Sequence, residues 1–251
     1  MSLSSQAAAI DKAFRPRNLV AVALSVNSPG GSAVQSALIA KRIRDLADEN
    51  DIPVIAFVED IAASGGYWLA CAGDEVYANE SSIIGSIGVV SGGFGFTELI
   101  KKMGVERRLH TTGDNKAMLD PFTPEKPADV EHLKSLQREI HETFTEMVRA
   151  RRGERLNGPD KDIFSGAFWT GRKALEMGLI DGIGDLRSVM RARFGERVRL
   201  RPVGAQRPLW RQRFGIAERS SSGFDFAYTE NLAADVLAAI EERFIWNRFG
   251  L

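Results

Sequence analysis

An apolar run at residues 19–26 leads into the turn Asn27-Ser28-Pro29-Gly30-Gly31-Ser32, then an amphipathic stretch and a second apolar run at residues 53–58. Strand, glycine turn, helix and strand in this order leave few choices. Two strands joined through a helix lie parallel in one sheet, with a right-handed crossover. Ser32 and Gln35 have the spacing of a capping box, and Val34, Leu38, Ile39, Ile43 and Leu46 recur at helical intervals as the expected buried face. The fold class is therefore α/β, a parallel sheet with crossover helices. Glycine turns in such sheets fall at the carboxyl ends of strands, where ligands bind.

A second small-residue turn follows the second strand. Ser64 stands in Asp60-Ile61-Ala62-Ala63-Ser64-Gly65-Gly66-Tyr67-Trp68, at the expected start of a helix. Ala and Gly leave its hydroxyl unobstructed, and the free N–H groups of a helix start favour a developing oxyanion. Gly30 and Gly31 bring further backbone N–H groups close to a substrate carbonyl because they lack a side chain. A nucleophilic serine also needs a base. Lys116, in an irregular stretch beside Ala117, Met118 and Leu119, fills that role if its surroundings lower its pKa from about 10.4 toward neutrality. Read singly, each motif is also compatible with close helix–sheet packing, a tight turn or a solvated lysine.

Taken together, these residues resemble the signal peptide peptidase A family, also called protease IV, in its single-repeat short form. The resemblance runs over roughly residues 19 to 200. It is carried by N-S-P-G-G at 27–31, A-A-S-G-G-Y at 62–67, Gly85-Ser86-Ile87-Gly88-Val89, Lys116 ahead of Met118, and Trp169-Thr170-Gly171-Arg172 followed by Ala174 and Gly178-Leu179-Ile180-Asp181. It implies a fold like that of the Clp protease and crotonase. It also implies a Ser–Lys dyad, with Ser64 as nucleophile, Lys116 as general base, and the backbone of Gly31 and Gly65 as oxyanion donors beside Gly30. The substrates it implies are signal-peptide remnants and other short or unfolded peptides. Single-repeat members share Ser and Lys between neighbouring subunits of a ring, so a homo-oligomer with an active site at an interface is expected.

The chemistry expected is acyl transfer without metal or organic cofactor: Lys116 takes the Ser64 proton, the alkoxide attacks a peptide carbonyl, and water later cleaves the acyl-enzyme. Ser86 is placed to bond the Lys116 amine or to line the substrate groove. Residues 83–96 alternate apolar residues with glycine and serine, as a groove pairing with an extended peptide would. Of the three histidines, His132 and His141 fall on an expected helix as solvated residues. His110 follows Val105-Glu106-Arg107-Arg108-Leu109, an expected strand, and keeps a triad-type enzyme open. Two functions of different class stand beside the peptidase: a crotonase-like acyl-CoA enzyme, which needs acidic catalysts near the glycine turns, and a non-catalytic peptide-binding scaffold.

Lys plus Arg and Asp plus Glu each number 33, which argues against a nucleic-acid partner. The one cysteine, Cys71, cannot form an intrachain disulfide and reads as a small core residue. No metal-ligand spacing occurs.

Three regions are expected: a lead segment over 1–18, a catalytic domain over 19–200, and a C-terminal linker and amphipathic helix over 201–251. Thr123 and Pro124 read as the start of a helix running to Arg152, with Val130, Leu133, Ile140, Phe144 and Met147 buried. Residues 169–180 read as a turn and a helix ending at Gly178. Ser220-Ser221-Ser222-Gly223 reads as a linker, followed by an apolar stripe through Leu232, Val236, Leu237, Ile240, Phe244 and Ile245 suited to a neighbouring subunit. The chain contains no run of about 20 apolar residues and no leader-like start. Compared with the family it begins late. The resemblance implies association with a bacterial inner membrane and a periplasmic catalytic domain, and a cytoplasmic form is the alternative.

Overall fold

A computed structural model describes residues 2–204, 243 and 246–250. In chain order the elements are α1 (Leu3–Ala13), β1 (Val22–Ser28), α2 (Ala33–Asn50), β2 (Val54–Ala63), α3 (Gly65–Ala70), β3 (Glu75–Ala78), β4 (Ile83–Gly85), α4 (Thr97–Lys102), α5 (Pro127–Arg152), α6 (Asp160–Ile163), β5 (Phe168–Thr170), α7 (Gly171–Glu176), β6 (Gly182–Ile183) and α8 (Leu186–Phe194). The linker at 220–223 and the apolar stripe from Leu232 to Ile245 lie outside the described residues.

The architecture is the expected α/β one. β2 pairs in parallel with β1, β3 and β4, β3 pairs in parallel with β6, and among the described strands only β5 runs antiparallel, against β4. β2 is apolar along most of its length because both faces are covered. Val54, Ala56 and Val58 point into the main core with Ile39, Ile43, Leu69 and Val148, while Ile55 and Phe57 pack on the other side with Met190 of α8. The strand period of two divides these residues between the layers.

α2 shows where a hydrophobic pattern misleads. Ile39 and Ile43 are buried as expected, but Val34 is 64% exposed and Leu38 41%. The face toward the sheet is completed by Ser36, Ala40 and Ala47 instead. Small side chains let α2 approach α3: a Cβ on Gly65 would lie 2.4 Å from Ser36 Oγ. The Ser32 hydroxyl does accept the Gln35 N–H, but Gln35 Oε1 accepts from Leu3 N at 2.8 Å, so the capping box is not closed. With the Arg42–Asp11 ion pair at 2.8 Å, that bond fastens α1 to α2.

Three other local expectations are corrected. α5 begins at Pro127, not at Thr123, whose hydroxyl donates to Asp120 O; proline at the first helical position suits its fixed φ and missing N–H. Val130 and Leu133 are only partly buried and Ile140 is exposed, because the first half of α5 reaches past the core. Residues 105–109 form no strand, and Trp169 lies in β5, with Thr170 capping α7.

The second half of α5 is anchored by charge. Arg152, 2% exposed, pairs with Asp181 through two bonds of 2.7 and 3.1 Å and donates to Gly178 O at 2.9 Å. Asp181 also accepts from Val76 N at 2.7 Å and from Arg155 at 3.2 Å, so α5, β3 and the turn after α7 meet at one carboxylate. Burial alone would raise the Asp181 pKa. The Arg152 hydrogen bond, the Val76 N–H and the neighbouring guanidinium charges outweigh it and hold the pKa below the usual carboxylate value.

Candidate active site

Ser64 occupies the tight turn between β2 and α3. Its backbone has φ +52° and ψ −123°, a conformation that costs a non-glycine residue about 1–3 kcal/mol and persists only where its surroundings impose it. They do so here. Ser64 N donates to Gly85 O at 2.8 Å and Ser64 O accepts from Trp68 N at 3.0 Å. Gly66 must lack a side chain, since a Cβ there would stand 2.2 Å from Ser28 O. The Ser64 hydroxyl makes no capping bond, so it is free to react.

The approach to this turn is bent by an irregularity in β2. Val26 pairs with Val58 and Ser28 with Ala62, so two residues of β1 span four of β2. Asn27 fills the gap: its Oδ1 accepts from Ile61 N at 3.2 Å and its Nδ2 donates to Asp60 at 2.9 Å. A side-chain amide thus replaces the ladder that the bulge interrupts. This role of the first residue in N-S-P-G-G was not read from the sequence. The signal was an Asn at a strand end, directly before a glycine turn.

Gly30 (φ +122°) and Gly31 (φ +146°) bring the first turn against the second. A Cβ on Gly30 would lie 3.0 Å from Ser64 Cβ, and one on Gly65 would lie 3.4 Å from Gly31 N. The N–H groups of Gly31 and Gly65 have no hydrogen-bond partner among the described residues. Two unpartnered donors beside a free hydroxyl make an arrangement that stabilises an oxyanion.

In front of them lies a cavity of about 770 Å³, lined by Ser64, Gly31, Gly65, Ser86, Trp68 and Phe144 among others. Ser86 also has positive φ, +53°, and its N–H donates to Ala167 O at 2.7 Å. Ser86 is buried and lines the cavity. His141 lines the cavity too and bonds Ile87 O through Nε2 at 3.2 Å, whereas a solvated surface role was expected. Helical spacing places His141 three residues before buried Phe144, a signal that was available in the sequence.

Lys116 does not line the cavity that holds Ser64. It is exposed on the turn at 113–119 and is absent from the cavity wall. That turn belongs to an arm, residues 90–123, with its own small cluster. Phe96 packs between Phe94 and Phe122, Arg107 lies over the Phe122 ring at 4.9 Å, and Arg107 pairs with Asp120. His110 is exposed on the same arm and does not line the cavity either. Cys71 is fully buried, and burial pushes its thiol up to about 11, so the inert core role suits it. Among the described residues no His, Cys, Asp and Glu cluster could hold a metal, and no helix is long and apolar enough to cross a membrane.

The strained serine turn and the two glycine donors lie at the carboxyl ends of β2 and β1 in a mostly parallel sheet, on a Clp protease/crotonase-like fold. The sequence profile described as peptidase family S49 matches residues 47–196, and the chain belongs to that family. It is 33% identical over 180 residues to protease 4 of Haemophilus influenzae, covering 69% of this chain and 28% of that one. To the chloroplastic serine protease SPPA of Arabidopsis thaliana it is 32% identical over 167 residues, 66% of this chain and 24% of that one. A Brucella abortus protein named as the Na(+)/H(+) antiporter NhaA is 53% identical over 252 residues, covering 100% of this chain and 34% of its own length. The chain thus spans about a third of that relative.

Proposed function

We propose that this domain is a serine endopeptidase that cleaves short or unfolded peptides, signal-peptide remnants among them, through an acyl-enzyme on Ser64 with Lys116 as general base. The observation that carries the reading is the free Ser64 hydroxyl on a strained turn beside the unpartnered N–H groups of Gly31 and Gly65. Lys116 removes the hydroxyl proton, the oxyanion forms against the two glycines, and the proton passes to the leaving amine. Water then releases the acyl group.

Because Lys116 is exposed and does not line the cavity, the proposed enzyme is a homo-oligomeric ring in which a neighbour supplies it. The arm that carries Lys116 favours this: Phe94 is 82% exposed, Met103 68% and Val105 52%, an apolar surface suited to a second copy. Mixing Ser64→Ala with Lys116→Ala subunits tests the shared site. Each variant alone is expected to be inactive, and exchange should restore cleavage. Activity in Lys116→Ala alone would remove the dyad. A second reading then has an observation of its own, since Lys134 and His141 line the cavity with Ser64 in one chain. Alanine at either would identify that base.

An acyl-CoA enzyme would need acids beside the glycine turns, and the described cavity wall contains none. Antiport, named for the Brucella relatives, is not carried over, because the shared segment contains the residues that the peptidase profile matches. Signal-peptide remnants arise at the bacterial inner membrane, so the reading extends to membrane association on the periplasmic side. Fractionation of cells expressing the natural gene tests it.

A further inference from the structure

The wall of the Ser64 cavity is one-sided in charge. Its described residues include Lys134, Arg138, Arg248 and His141 but no Asp or Glu, in a chain whose acidic and basic residues are equal in number. Lys134, Gln137, Arg138 and His141 stand at i, i+3, i+4 and i+7 on α5, so one helix face presents all four to the cavity. Three of the four, all but His141, lie in the half of α5 that reaches past the core. Another cavity, of about 790 Å³, is lined by Glu59, Asp60, Asp185 and Arg187, so a wall without acids is not a general property of this surface.

Apolar residues make up another part of the wall: Trp68, Val89, Val90 and Phe144. A peptide passing Ser64 therefore meets both apolar and cationic contacts. The cations are largely available. Arg138 pairs with Glu131 at 2.8 Å, but both side chains are about two-thirds exposed, and such pairs exchange readily for another carboxylate. Lys134 makes no ion pair among the described residues, although it adds to the field that lowers the Glu131 pKa after the Arg138 hydrogen bond and charge.

Resting on the reading of Ser64 as nucleophile, we propose that this cavity selects peptides with a carboxylate close to the scissile bond, with Lys134 and Arg138 as the specificity residues. The carboxylate is either a free C-terminus or an Asp or Glu side chain. Apolar neighbours would fill the wall formed by Trp68 and Phe144. Two partly screened cations set the scale of the preference at about 3- to 10-fold in kcat/KM.

The test uses matched fluorogenic peptides of one apolar sequence: C-terminal acid against amide, and internal Glu against Gln. Wild type should favour the carboxylate member of at least one pair, and the pair that responds identifies the source. The preference should shrink in high salt and fall to about unity in the double variant Lys134→Gln, Arg138→Gln. Binding of the same peptides to Ser64→Ala by fluorescence anisotropy reads the selection without catalysis. If wild type cleaves nothing, the nucleophile reading fails, while a carboxylate preference in binding still upholds the selection. Equal kcat/KM and equal Kd within both pairs, or a preference that survives the double variant, overturns it. Loss of all cleavage in Lys134→Gln, acid and amide alike, would make Lys134 the base and overturn the specificity role.

Discussion

The backbone N–H of Ser64 donates to the carbonyl of Gly85 at 2.8 Å, joining the turn after β2 to the end of β4. The bond fixes Ser64 in its left-handed conformation from the strand side, while Trp68 N holds its carbonyl from the helix side. The one residue whose hydroxyl must stay free is thus held entirely through its backbone. Ser64→Ala should keep the fold and reduce peptide cleavage by about 10³-fold or more. Circular dichroism melting beside a mass-spectrometric cleavage assay checks both halves.

Gly66→Ala should do the reverse, damaging fold and site together. The added Cβ would meet Ser28 O at 2.2 Å, and neither backbone can retreat without opening the contact between β1 and α3. A loss of about 2–4 kcal/mol is expected in urea unfolding. A stability within about 0.5 kcal/mol of wild type would contradict this packing.

Asn27→Ala removes both bonds that bridge the β2 bulge. About 1–2 kcal/mol of stability should go with them, and kcat should fall by about 10-fold or more because the bulge aims the Ser64 turn. Asn27→Asp keeps the acceptor for Ile61 N but faces Asp60, so it should not rescue. Steady-state kinetics with a peptide substrate and denaturant melts separate the two effects.

Breaking the Arg152–Asp181 pair should be costly and dependent on pH. Asp181 has a folded pKa below its unfolded value, so its contribution is fully present above about pH 4 and is lost as pH falls through the folded pKa. Asp181→Asn should lower stability by about 3–5 kcal/mol at pH 7 and flatten the acid limb of the stability curve. Melts between pH 7 and pH 3 measure this. Parallel wild-type and variant curves would disprove the coupling.

Cys71 should resist alkylation in the native protein. Its thiol is buried and titrates near 11, so at pH 8 almost none is thiolate. Iodoacetamide labelling followed by mass spectrometry should show modification only after denaturation, and Cys71→Ala should remain active. Rapid labelling of the folded protein would mean that α3 opens.

Much of this was legible in the primary structure. The order of apolar runs and glycine turns specified a parallel sheet, since strand periodicity and crossover handedness leave one arrangement. The small residues around Ser64 marked the serine turn because side chains there would collide with Ser28 and Ser36. Periodicity was a poorer guide where what covers a face depends on distant elements. Val34 and Leu38 are apolar yet exposed, while Ser36 and Arg152 are polar yet buried, the first by close approach to α3 and the second by its bonds to Asp181.

The site divides along the same line. Ser64 with Gly65, and Gly30 with Gly31, each sit in a turn legible in consecutive residues, and the parallel pairing of β1 with β2 brings the two turns together. The bridging role of Asn27, the arrival of Lys134, Arg138 and His141 at the cavity, and the absence of Lys116 from its described wall were decided only by tertiary structure. Each depends on where a long helix, a strand bulge or an arm comes to rest. Those positions follow from packing between residues far apart in the chain, which local pattern does not encode.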